Sequence, residues 1–397
     1  MEASYLWPGE KKLENNNMNN NMNNRWINAS FYRGGTSKGV FFKGSDLPTN
    51  NKEELNKIFL NVIGSPDPNG RQLNGMGGGV SSLSKCVIIS PSKKEGIDVD
   101  YTFIQIDIGQ PIADWSNNCG NLSSAVGPFA VNEGLVKVKD GEVTIKIYQT
   151  NTDKVIHSTF NVINGFADPD GDYKIAGVSG SGSKIRLDYL NPGGSGTGKL
   201  LPTGNVVDKI NIDGKDISVS IVDAATPLVY IKSDDIGLKC TESPDELDLN
   251  INASKLIQDI RTKAAVMIGL AKNEKEVSLG TPRIGIVSEP RDYTALDKTK
   301  VTKDNYDICT RMFSMGKAHK AIMGTAGVNI GVACAIEGTL PNLVKRKESN
   351  ILETRVGNPS GIITAGAVIK NESGSVSANS AVMYRTARPL MTGKVFI

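Results

Sequence analysis

Alternating apolar and polar positions predict that this chain is built mainly from β-strands. In GEVTIKIY, residues 141–148, the two classes alternate cleanly, and VIHSTFNVI, residues 155–163, follows after the turn NTDK. These stretches are therefore predicted to pair as an antiparallel hairpin. In IDVDYTFIQIDIG, residues 97–109, the apolar positions change phase between 103 and 104. A change of phase of this kind predicts a β-bulge.

Two segments have the spacing of amphipathic helices. In NKEELNKIFLNVIG, residues 51–64, the apolar positions 55, 58, 59, 62 and 63 share one face, and Gly64 is suited to end the helix. The segment ASKLIQDIRTKAAVMIGLA, residues 253–271, has the same character.

Two further helical segments lack a charged face, which predicts that both are buried. They are NLSSAVGPFAV, residues 121–131, and KAIMGTAGVNIGVACAIEG, residues 320–338. Each follows a loop and strand, GGTSKGVFF at 34–42 and DAATPLVYI at 223–231, which indicates an internal repeat. If the two halves face each other, both helix N-termini point into one cleft that would suit a carboxylate.

Composition places the chain among globular proteins and excludes several partners. The 397 residues are 39% hydrophobic and 22% charged with a net charge of +3, which predicts about two domains and disfavours a nucleic-acid partner. No apolar run approaches the roughly 20 residues needed to span a membrane. Residues 1–24, which end in NNNMNNNMNN, are expected to be a disordered leader or tag.

The five cysteines form no CxxC pair, which indicates free thiols in a reducing compartment, the cytoplasm. With only two histidines, no metal site of the usual spacing can be assembled. The segment GGSGTGKL, residues 193–200, matches the GxxxxGK pattern of a phosphate-binding loop but has Leu200 where Ser or Thr is required. No nucleotide or other cofactor is therefore expected.

Cys119 lies among polar residues at the predicted start of the first buried helix, in SNNCGNLSS. One interpretation is a small residue that merely fits a helix start. The other is a reactive thiol, because the helix dipole favours a thiolate at this position. The sequence motif alone leaves both open.

Several motifs together resemble the methylaconitate isomerase (PrpF-type) family. They are YRGGTSKGVFF, SLSKCVII, NCGNLSSAVGPFAV, KLLPTGN, MGKAHKA and the terminal RTARPLMTGKVFI, and the resemblance covers about residues 25–397. It implies an α+β fold of two pseudo-symmetric, diaminopimelate epimerase-like domains, each a barrel-like sheet around a central helix. The expected division is 25–203 and 204–397.

The resemblance implies an isomerase that shifts a proton across an allylic system in a small unsaturated di- or tricarboxylate, such as 3-methylitaconate or 2-methylaconitate. It also implies that Lys85 and Cys119 line the active site. A lysine base must lose its proton, which burial favours, and the carbanion needs donors where its charge develops. Without the resemblance, a solvated strand-end lysine would be the better interpretation of Lys85.

Substrate-binding candidates come from polar and glycine-rich segments near these two residues and near the second helix start. Each has a structural alternative: a turn, a flexible loop, or, for His319, simple helix capping. The candidates are Thr36, Ser37, Gly77, Gly78, Asn118, Gly120, Asn121, His319, Gly324 and Thr325.

Diaminopimelate epimerases use a cysteine at the start of each central helix, whereas here the second position is predicted to be Met323, which cannot carry a proton. Allylic isomerisation is therefore favoured over a two-base epimerase or racemase. A noncatalytic accessory protein of a dehydratase stays an open alternative. The identity of the acid and the oligomeric state are also open, and the sequence is compatible with a homo-oligomer.

Overall fold

The computed structural model describes residues 25–116, 118–372 and 375–397, with only the backbone described at Glu372 and Ser375. The expected leader, residues 1–24, lies outside the described residues. Within the described ranges, no helix is both long and apolar enough to cross a membrane.

Strands dominate both halves of the chain. The first half contains β1 Trp26–Gly34, β2 Ser37–Lys43, α1 Lys52–Ile63, β3 Lys85–Pro91, β4 Val99–Ile106, β5 Ala113–Asp114, α2 Ser123–Asn132, β6 Gly141–Gln149, β7 Lys154–Ile163, β8 Phe166–Ala167 and β9 Ile185–Leu190. The second half contains β10 Asp208–Ile212, β11 Lys215–Asp223, β12 Pro227–Lys232, α3 Pro244–Leu249, α4 Ile251–Met267, β13 Arg283–Ser288, β14 Tyr293–Thr294, β15 Lys300–Val301, β16 Ile308–Ser314, β17 Lys317–Ala318, α5 Gly324–Ala335, α6 Leu340–Val344, β18 Thr354–Asn358, β19 Gly361–Glu372, β20 Ser375–Arg385 and β21 Ala387–Phe396.

One run of strand pairings occurs twice. The first order is β21-β1-β2-β3-β4-β6-β7-β9. The second is β10-β11-β12-β13-β16-β18-β19-β20. In the first run, the pairs β2–β3 and β4–β6 are parallel and the other pairs are antiparallel. In the second run, the counterparts β12–β13 and β16–β18 are parallel and the other pairs are antiparallel. The two runs join through β9 and β20, so the predicted internal repeat is confirmed.

Each repeat wraps its strands around one buried helix. Around α2 the core includes Tyr32, Phe41, Val87, Tyr101, Ile145, Phe160 and Leu187, which come from seven strands of the first run. Around α5 the core draws in the same way on β12, β13, β16, β18, β19 and β20. Both helices lack charged residues and bury nearly all of their residues, as expected of a helix enclosed by sheet. The predicted α+β fold with a central helix in each half is confirmed.

The second face of each sheet is covered by an amphipathic helix, α1 in the first repeat and α4 in the second. Asn51 caps α1 by accepting from Glu54 N, and Gly64 ends it at φ 80°, in the left-handed region that suits glycine. Both helix predictions are confirmed. The hairpin prediction is confirmed as well, because β6 and β7 pair antiparallel throughout.

The β-bulge predicted in residues 97–109 is wrong. The pairing of β4 with β3 runs without a shift from Val99 to Gln105. The phase change has another cause, because this strand is covered on both faces. Phe103 belongs to the core around α2, whereas Ile104 belongs to the core beneath α1. A strand buried on both sides does not show simple alternation.

The last strand, β21, pairs with β1 at the opposite end of the chain. Its Ala387 packs in the core around α2 and its Val395 in the core beneath α1. The division of the chain at residue 204 stays a proposal, and with it we propose that β21 belongs to the first domain.

Candidate functional site

A cavity of about 480 Å³ lies between the starts of the two central helices. Asn121, in the turn that leads into α2, and Gly324, the first residue of α5, both line it. The prediction that the two helix N-termini face one cleft is therefore confirmed. The remaining wall comes mainly from residues 173–177, from Ala321 and Ile322, and from strands β18–β20.

Cys119 lies in the turn that leads into α2, three residues before the N-cap Leu122. Its carbonyl accepts the backbone N–H of Ser123 at 3.0 Å, and its Sγ lies 3.5 Å from the backbone N of Leu122, which is placed to donate to it. A helix start offers unpaired N–H groups, and here one of them is directed at the sulfur. The side chain of Asn118 accepts from Ser123 Oγ at 3.4 Å and so supports the same turn.

Two tyrosines donate hydrogen bonds to the backbone of the turn around Cys119. Tyr101 Oη donates to the Cys119 carbonyl at 3.4 Å, and Tyr189 Oη donates to the Gly120 carbonyl at 3.2 Å. Burial raises the pKa of Tyr189 to about 12 and that of Tyr101 well above its usual value of 10. Both phenols therefore keep their protons near neutral pH and act as donors.

The motif RGGTSKG forms the tight turn between β1 and β2, and this turn packs against the start of α2. Gly35 has φ 53°, and a Cβ there would lie 2.5 Å from Asn121 Oδ1, so only glycine fits. Asn121 Nδ2 donates to Thr36 Oγ1 at 3.0 Å and reaches Ser37 Oγ at 3.5 Å. The motif is thus a turn, and its Thr36 also lines the cavity.

Lys85 is the first residue of β3, and its side chain lies on the face of the sheet that α2 covers. Its Nζ donates to Gln105 Oε1 and lies 5.0 Å from the centre of the Phe103 ring. The residue is only 7% exposed. Within the described residues, no Asp or Glu forms an ion pair with it.

Gly39 of β2 brings Lys85 close to the helix start that carries Cys119. A Cβ at Gly39 would lie 2.9 Å from Leu122 Cδ1 and 3.3 Å from Lys85 Cβ. Any larger residue would therefore push the strand-end lysine and the first turn of α2 apart. Neither Lys85 nor Cys119 is among the described residues that line the cavity.

The start of α5 occupies the matching place in the second repeat and carries different side chains. Met323 is the N-cap, and its carbonyl accepts the backbone N–H of Gly327 at 2.8 Å. Thr325 Oγ1 accepts from Arg283 Nη1 at 2.5 Å. Arg283 is the first residue of β13, as Lys85 is of β3.

The other predicted candidates lie outside the cavity lining. The backbone N–H of Ala321 is placed to donate to His319 Nδ1 at 3.2 Å, so the histidine contacts its own loop and caps no helix. Gly77 and Gly78 pack against the side chains of Gln72 and Leu83 in the loop that leads to Lys85.

Sequence reasoning missed the cationic part of the cavity wall. Its described lining contains Lys174, Arg355 and Arg385 and no Asp or Glu. Arg355 is neutralised by buried Asp307, at 2.7 Å between Nη2 and Oδ1. Arg385 Nε donates to Asn121 Oδ1 at 3.4 Å, and Nη1 donates to the Tyr384 carbonyl. The signal was present, because RTARPLMTGKVFI begins at this arginine.

Arg385 carries a charge that no described carboxylate balances. It is half-buried, and burial lowers its pKa from the ordinary arginine value, with a smaller opposing effect from Tyr189. Arginine remains protonated in proteins even so, and its planar donors match a carboxylate. Among the described residues, no group of three His, Cys, Asp or Glu side chains could hold a metal ion.

Comparisons with known proteins agree on one family. A family model described as "PrpF protein" matches residues 24–397. The 3-methylitaconate isomerase of Eubacterium barkeri is 39% identical, over 92% of this chain and 95% of its own. The 2-methyl-aconitate isomerase of Cupriavidus necator is 40% identical, over 93% and 96%. A crystal structure of methylitaconate-delta-isomerase superimposes with a TM-score of 0.86 at 38% identity, over 94% of this chain and 95% of that one.

Proposed function

The chain belongs to the PrpF protein family, and from this premise we propose that it is a cofactor-independent isomerase that moves a carbon–carbon double bond in a small unsaturated di- or tricarboxylate. The relatives that match nearly the whole chain are named as isomerases of methylitaconate and methylaconitate. Their names supply the reaction class, and the arrangement of side chains in this chain supports it.

The observation that carries the proposal is the charge of the cavity. Arg385 is uncompensated among the described residues, Lys174 adds a second cation, and the described lining has no acidic side chain. The starts of α2 and α5 add the positive ends of two helix dipoles. Two helix starts and two cationic side chains at one cavity suit a substrate with at least two carboxylates.

Lys85 is the proposed base. As a neutral amine it forms an N–H bond with the allylic proton, while the electrons of the broken C–H bond delocalise over the double bond and its carboxylate. The resulting ammonium then returns a proton to the far carbon, and the double bond re-forms one position along.

Cys119 and the polar residues around it are proposed to support this proton shift. The Leu122 N–H directed at Sγ holds the thiol at the start of α2. Thr36, Ser37, Asn118, Gly120 and Asn121 are proposed to bind a carboxylate directly or to hold the turn that does, and Gly324 and Thr325 do the same at the second helix start. For Gly77, Gly78 and His319, which pack outside the cavity wall, substrate binding stays a prediction without support from a contact.

A two-base epimerase is disfavoured by the second helix start. Met323 has no exchangeable proton, and neighbouring Arg283 does not act as a base because its guanidinium stays protonated. The start of α2 is therefore proposed to move a proton and the start of α5 only to bind substrate.

The proposed compartment is the cytoplasm, because all five cysteines are buried and free. The proposed substrates have about five to seven carbons, with 3-methylitaconate and 2-methylaconitate first.

The test is turnover by the purified chain alone. Proton NMR with 3-methylitaconate, 2-methylaconitate, aconitate and oxalomesaconate should show movement of the double bond in at least one of them, without added metal or cofactor. No conversion of any of the four, by protein that is folded, would contradict the proposed function. Binding without conversion would support the accessory-protein alternative.

A further inference from the structure

Gln105 is the hydrogen-bond partner of Lys85, and nothing in the family resemblance assigns it a role. We propose that Gln105 is a positioning residue that keeps Lys85 available as a base, because it orients the amine without supplying a negative charge. This inference rests on the proposed function, in which Lys85 takes the allylic proton.

The orientation of the Gln105 amide is set by backbone groups. Gln105 lies opposite Lys85 in the pairing of β4 with β3. Its Nε2 donates to the carbonyls of Ser81 and Ser84, both at 3.0 Å. Since these acceptors can be satisfied only by the NH₂ group, Oε1 must point toward Lys85. The loop before β3 therefore fixes the atom that holds the lysine.

A neutral acceptor has a specific chemical consequence here. An amide oxygen accepts a hydrogen bond from an ammonium and from a neutral amine alike, so Lys85 stays in place in both protonation states. A carboxylate at the same position would form a buried ion pair and hold the lysine as ammonium. Glutamine is thus suited to a base that must gain and lose a proton in every cycle.

Strand pairing also places a carboxylate next to this pair, because Asp114 of β5 lies opposite Gln105. Its Oδ1 accepts from Ser116 N at 2.8 Å and from Ser116 Oγ at 2.6 Å. From β4 the groups on the same face are Phe103 and Tyr101, and Tyr101 stays protonated because it is buried. From the start of α2 the titratable group is Cys119, and β2 contributes Gly39. Among the described residues, no Asp or Glu is paired with Lys85.

The decisive variant is Gln105→Glu, which adds a charge with almost no change in volume. The added charge stabilises the ammonium form of Lys85. In a plot of kcat/KM against pH, the acidic limb should therefore shift to higher pH by about one unit or more. Activity should be about tenfold lower near pH 7 and should recover at alkaline pH. Gln258→Glu is the matched control, because Gln258 also accepts from a cation, Arg261 Nε at 3.0 Å, in the other repeat. It should keep the wild-type profile. A folded Gln105→Glu enzyme with the wild-type limb would overturn the proposal.

Gln105→Leu separates orientation from charge, and decides the matter if the glutamate variant does not fold. It removes the acceptor without adding charge, so kcat should fall about tenfold or more over the whole pH range, and the limb should not move to higher pH. A wild-type kcat in Gln105→Leu would overturn the proposal. A shift of its acidic limb to higher pH, as large as that in Gln105→Glu, would also overturn it.

A readout that needs no turnover keeps this inference distinct from the proposed function. In protein labelled with ¹³C at lysine Cε, the Lys85 signal is assigned by its loss in Lys85→Met and followed by NMR against pH. Its midpoint should lie at higher pH in Gln105→Glu than in the wild type, and equal midpoints would overturn the proposal. A shifted midpoint in a protein that converts none of the four acids would contradict the proposed function alone.

Discussion

The starts of α2 and α5 occupy matching places in the two repeats but carry different chemistry. Cys119 and Met323 lie at these starts, and their carbonyls accept backbone hydrogen bonds from Ser123 N at 3.0 Å and from Gly327 N at 2.8 Å. Lys85 and Arg283 each begin the strand that runs parallel to its neighbour and lies beside that helix start. The places in the fold repeat, whereas the side chains do not.

In the proposed function, this difference separates proton transfer from binding. A thiol and an amine can exchange protons, whereas a thioether has none to exchange and a guanidinium does not give its proton up. Both starts retain the positive end of a helix dipole, so both can attract a carboxylate. A symmetric fold can in this way hold an acid from two sides and perform chemistry on it from one.

Changing Lys85 should have the largest effect, because it removes the only proposed base. Lys85→Ala should lower kcat by about a thousandfold, within the range known for general-base catalysis. Lys38→Ala is the control, since Lys38 lies nearby on β2 but packs over the Phe31 ring on the other face. Near-wild-type turnover in folded Lys85→Ala would remove the lysine from the mechanism and end the proposed difference between the two helix starts.

Arg385 tests whether binding is shared across the cavity. Arg385→Gln should raise KM about 10- to 100-fold with a smaller change in kcat, because one charged hydrogen bond to substrate, worth roughly 1.5–3 kcal/mol, is lost. The control is Arg388→Gln, an exposed arginine on the next strand. An unchanged KM would mean that the substrate carboxylate does not reach this wall.

Cys119→Ser should be less damaging than loss of the lysine. Serine can still accept from Leu122 N–H, so the turn should persist and kcat should fall about tenfold, less than general-base loss costs. Substrate deuterated at the donor carbon should still give product with some deuterium at the acceptor carbon, since Lys85 would carry it. A loss as deep as that of Lys85→Ala would make the thiol a second proton carrier, and delivery to the opposite face would exclude a one-base shift.

Local patterns were sufficient to predict much of the fold. The spacing of Leu55, Phe59 and Val62 predicted α1, and the uncharged surroundings of α2 and α5 predicted their burial, because periodicity reports which faces a segment hides. The same reasoning failed at Ile104, because a strand buried on both faces shows the same change of phase in its apolar positions as a strand with a β-bulge. Alternation identifies faces, but it does not count how many of them are buried.

The candidate site was predictable only where its residues lie in short motifs. Thr36, Asn121 and Gly324 come from such motifs, and the structure places all three at one cavity. Arg385 reaches Asn121 across 264 residues of sequence, and Gln105 meets Lys85 only through strand pairing. Contacts of this kind depend on topology and register, which no local pattern contains.

Met323→Leu should have the smallest effect, and it tests the start of α5, which is proposed only to bind substrate. Met323 is half-buried and packs against the core around α5, so a volume-conserving change should cost less than about 1.5 kcal/mol of stability and leave kcat within about twofold. Met383→Leu is the matched control, because Met383 of β20 also packs on α5, against Gly327 of its first turn, but is not itself part of the helix start. Equal, small effects in both variants would confirm that Met323 only packs. A large loss of kcat in folded Met323→Leu, with Met383→Leu unaffected, would mean that the second helix start takes part in the chemistry after all.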